Sequence, residues 1–173
     1  MVKRSRRVKN VLADRRISVQ TFGQVNSDLF KNLWGGGGRR WLVAPKLMHA
    51  DRLWSLGFKG EGVRLAIFDT GIAAGHSDVA RVIDQSDWTD EKTTDDYVGH
   101  GTYVAGVIAG CHPDCPGFAP QADIFVFKVF DRRQQSYTSW FLDAFNAALT
   151  ARVDILNLSI GGPDFKDQPF VDK

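Results

Sequence analysis

Two residues of this sequence are of the types that form a general base in hydrolytic enzymes, namely Asp69 and His100. Asp69 follows the apolar run "VRLAIF" at 63–68, and His100 lies between two glycines in "GHGTYVAGVIAG" at 99–110. An imidazole is the usual general base near neutral pH, and a carboxylate can hold its ring in one orientation. Each residue alone has a simpler explanation. Asp69 could form an Asx turn with Thr70, and a lone histidine is more often packed and hydrogen-bonded.

A third feature is the segment "LNLSIGG", in which Ser159, Ile160 and Gly161 end an apolar run. A strand end without bulky side chains could pair with an extended peptide by strand addition, although an ordinary turn from strand to loop is the alternative. A carboxylate, an imidazole and an open strand for a peptide make up most of a serine protease site. The three features together therefore predict peptide hydrolysis.

The elements that must position these residues alternate along the chain. Apolar runs predict buried strands, and 3.6-residue periodicity predicts helices. Such alternation indicates an α/β fold, a three-layer parallel sheet with helices on both faces, in which sites form at the carboxyl ends of the strands. The predicted strands are 63–68, 81–88, 123–130 and 153–162, and the predicted helices are 46–56, 99–110 and 138–152.

Four segments carry a family resemblance. In order, "VRLAIFDTGI", "GHGTYVAGVIAG", "GFAPQADIFVFKVF" and "VDILNLSIGGP" resemble the Asp motif, the His motif, the following strand and the substrate-binding strand of the subtilisin-like serine proteases (subtilases). The resemblance implies a subtilisin-like fold, with Asp69 orienting the imidazole and His100 acting as general base. It also implies that Ser159, Ile160 and Gly161 line the substrate cleft.

Two further segments, "SYTSWFLDAFNAAL" and "LNLSIGGPDFKDQPFVDK", resemble a branch of that family that acts in the secretory pathway. That branch implies proprotein-convertase-like cleavage in the Golgi or endoplasmic reticulum. The sequence itself shows no signal peptide, transmembrane segment or membrane anchor. His76 matches a non-catalytic family position, but Ser77 replaces the usual proline there, so we assign His76 no role.

Two catalytic elements of the family have no counterpart here, the asparagine of the oxyanion hole and the serine in a Gly-Thr-Ser-x-Ala setting. We therefore expect the sequence to be the N-terminal part of the catalytic domain, with its sheet truncated after the substrate-binding strand. We also expect it to lack peptidase activity alone, since removing one oxyanion donor already costs about 10²–10³ in kcat. The alternative is a non-catalytic, peptide-binding pseudoprotease.

The charge is unevenly distributed, because residues 1–46 carry 11 Lys or Arg against 2 Asp or Glu. We expect 1–42 to be a basic leader, a propeptide remnant with a glycine-rich linker, and 43–173 to be catalytic domain. The leader could instead bind nucleic acid, but no recognisable set of aromatic or helical readout elements accompanies it. Within it, "RRWL" fits the specificity of the secretory branch, which makes Arg39, Arg40, Trp41 and Leu42 a candidate autocleavage site with the leader as an intramolecular partner.

Cofactors and cysteines are less informative. No metal site is predicted, although calcium is compatible with the family resemblance and Asp78 or the acidic loop could contribute ligands. An arginine at P4 of a substrate would call for acidic partners, for which Asp95, Asp96 and Asp131 are candidates by position. Cys111 and Cys115 could form a local disulfide or remain free thiols.

Overall fold

The computed structural model describes residues 16–18 and 43–160 of the 173-residue chain. Within those residues a parallel sheet is flanked by two helices that connect its strands. The elements in chain order are β1 (Arg16–Ser18), α1 (Val43–Leu47), α2 (Ala50–Ser55), β2 (Arg64–Asp69), β3 (Val82–Asp87), α3 (His100–Ala109), β4 (Cys111–His112), β5 (Cys115–Pro116), β6 (Asp123–Lys128), β7 (Gln135–Tyr137), α4 (Thr138–Thr150) and β8 (Ile155–Asn157).

The main sheet has four strands in the order β3-β6-β2-β8, and every neighbouring pair is parallel. The register pairs Asp69 with Lys128 and Ile67 with Asn157, so β2, β6 and β8 all end at one edge of the sheet. The central strands β2 and β6 are buried after their first residue, as expected of near-continuous apolar runs in a parallel sheet.

The two faces of the sheet pack against different helices. On one face, Leu65 and Ile67 belong to an apolar cluster with residues of α3; on the other, Ala66 and Phe68 belong to a cluster with residues of α4. This alternation follows from the two-residue period of a strand. The helix residues involved are Val104, Ala105 and Ala109 in α3, and Phe141, Ala144 and Ala148 in α4. The predicted three-layer α/β architecture is thus confirmed.

Several predicted elements differ in extent from those observed. The helix expected over 46–56 is two short helices, because His49 adopts a left-handed conformation with φ of 59° and separates α1 from α2. The strand expected over 153–162 is β8, which ends at Asn157, and residues 158–160 that follow it are not in a strand. Two small antiparallel pairs, β1 with β7 and β4 with β5, were not predicted.

Candidate active site

The structure brings Asp69 and His100 into direct contact, although 31 residues separate them in the sequence. His100 Nδ1 lies 2.7 Å from Asp69 Oδ1 and 2.9 Å from Oδ2. Asp69 is the last residue of β2, and His100 is the first residue of α3. The parallel topology therefore places the carboxylate and the imidazole at the carboxyl edge of the sheet, where sites of such folds form.

The two side chains differ in their exposure to solvent. Asp69 is 0% exposed, whereas the side chain of His100 is 29% exposed. Burial raises the pKa of Asp69 above its ordinary value, against the hydrogen bonds from His100 and from the backbone N–H of Thr70, which favour the carboxylate. The arrangement is a buried carboxylate that fixes one ring nitrogen, while the imidazole remains accessible from outside.

Two glycines allow the backbone segments that carry this pair to approach each other. Gly71 has φ of 105°, and a Cβ added there would overlap the carbonyl oxygen of Thr94. A Cβ added at Gly101 would overlap the carbonyl oxygen of Gly71 and lie 3.2 Å from Asp69 Cβ. The glycine after the histidine is thus required by the close contact between the start of α3 and the turn after β2.

Asp96 lies between these two segments, and its position differs from the predicted role as an acidic partner for a substrate arginine. The residue is only 8% exposed, and its carboxylate accepts hydrogen bonds from Thr70, Val98, Gly99 and Thr102. Both carboxylate oxygens of Asp96 therefore already accept hydrogen bonds from neighbouring segments of the same chain. Its role is to link loops, and this was missed because position in the sequence does not indicate burial.

A second charged group is buried on the other side of Thr70. Lys128, the last residue of β6, is 1% exposed, and its Nζ donates to the carbonyl oxygens of Asp95 (2.6 Å) and Thr70 (3.2 Å). The same nitrogen lies 3.1 Å from Glu91 Oε2. Burial opposes ionisation of Glu91, but the hydrogen bonds from Arg132 and the positive charge of the nearby Lys128 outweigh it and hold its pKa below the ordinary value.

The other residues predicted for substrate binding lie at the same edge of the sheet. Ser159 and Ile160 follow β8; the Ser159 hydroxyl donates to Asn157 Oδ1 over 2.9 Å, and Ile160 packs against the aromatic cluster that contains Phe68. Gly161 and the candidate cleavage segment 39–42 lie outside the described residues. Asp131 accepts hydrogen bonds from the backbone of Arg133 and Gln135 and so shapes the turn before β7.

Strand β7 was not predicted from the sequence. It follows the turn after β6, and its residues pair in antiparallel register with β1, as Arg16↔Tyr137, Ile17↔Ser136 and Ser18↔Gln135. Part of the basic leader is therefore hydrogen-bonded to β7 as an extended strand, in a two-stranded sheet of its own. A three-residue polar strand gives no hydrophobic alternation, so no sequence signal was available to find it.

His76, His112 and Cys115 line a cavity of about 620 Å³ whose wall also includes Gly99 and Thr102 at the start of α3. Cys111 and Cys115 are both exposed free thiols in this structure. Across residues 16–18 and 43–160 there is no group of three or more His, Cys, Asp or Glu side chains that could hold a metal ion. Over the same residues, no helix is long and apolar enough to cross a membrane.

Comparisons with known proteins agree with this geometry. The model of the subtilase family matches residues 60–173. Membrane-bound transcription factor site-1 protease of Homo sapiens is 56% identical over 126 residues, which cover 73% of this chain and 12% of that protein. A subtilisin-like protease of Arabidopsis thaliana is 56% identical over 139 residues, or 78% of this chain and 13% of the plant protein.

A bacterial relative is more distant but shares the same region. The major intracellular serine protease of Bacillus subtilis (strain 168) is 35% identical over 127 residues, covering 68% of this chain and 40% of that protein. This chain thus spans only a small part of the length of the curated relatives it matches. Since the family model covers well over half of the residues, the chain belongs to the subtilase family.

Proposed function

We propose that this chain supplies the aspartate and the histidine of a serine endopeptidase. The observation that carries the proposal is the contact of 2.7 Å between His100 Nδ1 and the buried carboxylate of Asp69. A carboxylate that accepts from Nδ1 holds the ring in the tautomer whose Nε2 is free to take a proton from a serine hydroxyl. The same carboxylate then stabilises the imidazolium, which later returns its proton to the leaving amine.

The nucleophile is proposed to lie outside the printed sequence. The 173 residues contain no Gly-Thr-Ser-x-Ala segment, and Ser159, near the sheet edge, donates its hydroxyl to Asn157. Without the serine and an oxyanion donor, Asp69 and His100 cannot perform acyl transfer. We therefore expect the 173-residue polypeptide alone to be inactive, and the activity to belong to the full-length protein.

The substrate is proposed to be a polypeptide bound in an extended conformation. The antiparallel pairing of β1 with β7 supports this, because it shows that the backbone of Gln135–Tyr137 accepts an added strand. Ser159, Ile160 and Gly161 would form the opposite side of the cleft. The strand that pairs with β7 is a segment of the chain's own basic leader, and this supports a propeptide that binds in an extended conformation before it is removed.

The finer specificity rests on resemblance to the secretory branch. One relative is named as a membrane-bound protease, and "RRWL" at 39–42 matches cleavage after Leu in an Arg-x-hydrophobic-Leu sequence. We propose that this protein also acts in the Golgi or endoplasmic reticulum and cleaves itself after Leu42. A mature N-terminus determined by mass spectrometry at a position distant from Val43 would contradict the self-cleavage.

The activity can be tested with a fluorogenic peptide that carries Arg-Arg-Trp-Leu before the scissile bond. We expect the full-length protein to hydrolyse it, and His100→Ala and Asp69→Asn to abolish turnover. His112→Ala is the matched control, because that exposed histidine lies on the β4–β5 hairpin and should leave the rate unchanged. Turnover that survives His100→Ala would refute the proposal.

A non-catalytic peptide-binding protein is the second candidate, and the β1–β7 pairing is the observation that favours it. Strand addition needs only an open backbone edge and no catalytic chemistry. The same peptide separates the two functions, since tight binding without hydrolysis by the full-length protein would favour the binding role. Hydrolysis that requires His100 would favour the peptidase.

A further inference from the structure

Asp96 is a buried carboxylate whose contacts all come from the two segments that carry Asp69 and His100. Its Oδ1 accepts from the Thr70 hydroxyl (2.8 Å) and from the N–H groups of Gly99 (2.8 Å) and Val98 (3.0 Å). Its Oδ2 accepts from the hydroxyl (2.6 Å) and the N–H (2.9 Å) of Thr102. Five donors therefore converge on one side chain that is itself almost inaccessible to water.

On one side, Asp96 is connected to Asp69 through Thr70. The Thr70 hydroxyl donates to Asp96 and accepts from the N–H of Gly101 over 2.9 Å, while the Thr70 N–H donates to Asp69 Oδ1 over 2.8 Å. Thr70 thus bonds simultaneously to the carboxylate of Asp69, to the residue after His100 and to Asp96. A shift of this residue would move the acceptor that holds the imidazole.

On the other side, Asp96 fixes the first turn of α3. Gly99 is the residue before the helix, and Thr102 is the third residue within it, so their N–H groups lack partners inside the helix. A negative charge at this end also interacts favourably with the helix dipole. Since His100 lies between Gly99 and Thr102, the bonds to these two residues fix the backbone position from which the His100 side chain extends.

We propose that Asp96, acting through the Thr70 hydroxyl and the start of α3, is the positioning residue that holds Asp69 and His100 at hydrogen-bonding distance. The inference rests on the proposed function for its catalytic meaning, although the geometric claim can be tested without activity. Asp96 does not touch Asp69 or His100 and is therefore not a catalytic residue. This positioning role explains why a charged group is buried beside the site although the peptidase mechanism does not use that group.

The electrostatics agree with an acceptor that must stay ionised. Burial opposes ionisation of Asp96, but the hydrogen bonds from Thr102, Gly99 and Thr70 outweigh it and hold its pKa below the ordinary value. A carboxylate offers two acceptor oxygens, whereas an asparagine offers one oxygen and an amide that only donates. Asp96→Asn therefore keeps the shape of the side chain but replaces one acceptor oxygen with an NH₂ group. That NH₂ faces either the donors of Thr102 or the donors that Oδ1 accepts from, which include the Thr70 hydroxyl.

The test uses NMR of the 173-residue chain and of variants at Asp96, Thr70 and Asp90. A proton on His100 Nδ1 that is donated to the buried carboxylate of Asp69 should give a resonance far downfield of the amide region. The indole Nε1 proton of Trp54, which donates to the Phe118 carbonyl 3.0 Å away, reports on the fold at a distant site. Asp90→Asn is the matched control, because Asp90 is an exposed carboxylate of the same loop.

We expect Asp96→Asn to abolish or broaden the His100 signal while the Trp54 signal persists, and Asp90→Asn to change neither. Thr70→Val should reproduce the loss, and Thr70→Ser should keep the signal, because serine retains the hydroxyl. If Asp96→Asn also loses the Trp54 signal, the chain has unfolded and the Thr70 pair decides. The inference would be overturned if the His100 signal were unchanged in Asp96→Asn or in Thr70→Val. It would also be overturned if the parent chain gave no such signal.

Kinetics of the full-length protein separate this inference from the proposed function. We expect kcat of Asp96→Asn to fall by about 10²-fold with KM nearly unchanged, the effect of a misplaced but present base. Partial restoration by Asp96→Glu would support a positioning role. A full-length protein that hydrolyses no peptide while its His100 signal is intact would refute the peptidase proposal and leave the positioning role of Asp96 standing.

Discussion

A methyl group added at Gly101 probes the contact on which the Asp69–His100 geometry depends. The new Cβ would overlap the carbonyl oxygen of Gly71 and approach Gly71 N to 3.1 Å and Asp69 Cβ to 3.2 Å. All three neighbours are backbone or the root of a buried side chain, so none can rotate away. The start of α3 must therefore move from the turn after β2, and His100 moves with it.

Gly106 provides the matched control, because it lies in the same helix but has nothing within 4 Å of its added Cβ. Overpacking at Gly101 should cost about 1–3 kcal/mol. Alanine at Gly106 should instead stabilise by about 0.5–1 kcal/mol, since it restricts the unfolded chain and favours the helix. For a domain of this size 1 kcal/mol shifts Tm by about 2–4 °C, so a difference of about 1.5–4 kcal/mol between the two variants should separate their Tm values by about 3–16 °C.

The assay is thermal or urea unfolding of the 173-residue chain carrying Gly101→Ala or Gly106→Ala, and unfolding is monitored by far-UV circular dichroism. We expect Gly101→Ala to unfold below the parent and Gly106→Ala at or above it. Equal stability of the two variants would refute the close approach of α3 to the Gly71 turn. The derived position of His100 would then be wrong as well.

Three further predictions concern charge, pH and the core. Lys128→Met should destabilise the chain by about 3–5 kcal/mol in urea unfolding, because it leaves Glu91 Oε2 and the carbonyl oxygens of Thr70 and Asp95 without the ammonium that faces them, and an unchanged midpoint would contradict this. Asp96 and Glu91 have lowered pKa values, so the stability they contribute is complete above about pH 5 and is lost progressively as the pH falls through their folded-state pKa values. Asp96→Asn should make that acid-side loss shallower, and an equal slope would argue against it. Phe141→Ala should cost about 3–5 kcal/mol, while Phe58→Ala, at a side chain 67% exposed, should change stability by less than about 0.5 kcal/mol; similar losses for both would contradict the assigned core.

The parts of the fold that could be predicted are those with strong periodic signals. The runs that became β2 and β6 are apolar over several residues, and the segments that became α3 and α4 carry apolar or small residues toward the sheet. Buried strands that alternate with helices have few alternatives to a parallel sheet. The approach of Asp69 to His100 then follows from topology, since both lie at the carboxyl edge.

The elements that were missed depend on contacts between distant segments. The break at His49 follows from one left-handed residue, and no glycine or proline marks it in the sequence. Strand β7 pairs with a segment more than a hundred residues earlier, which no local pattern could indicate. Asp96 was a candidate partner for a substrate arginine by position alone, and its burial could not be predicted because it depends on Thr70 and Thr102 surrounding it.

We propose that His100, oriented by Asp69, activates a serine of the full-length protein. The most direct measurement is covalent labelling of the full-length protein with a fluorophosphonate, which reacts with a serine only when a neighbouring base activates it. We expect rapid labelling of the parent and of His112→Ala, and none of His100→Ala. Equal labelling with and without the His100 imidazole would contradict it.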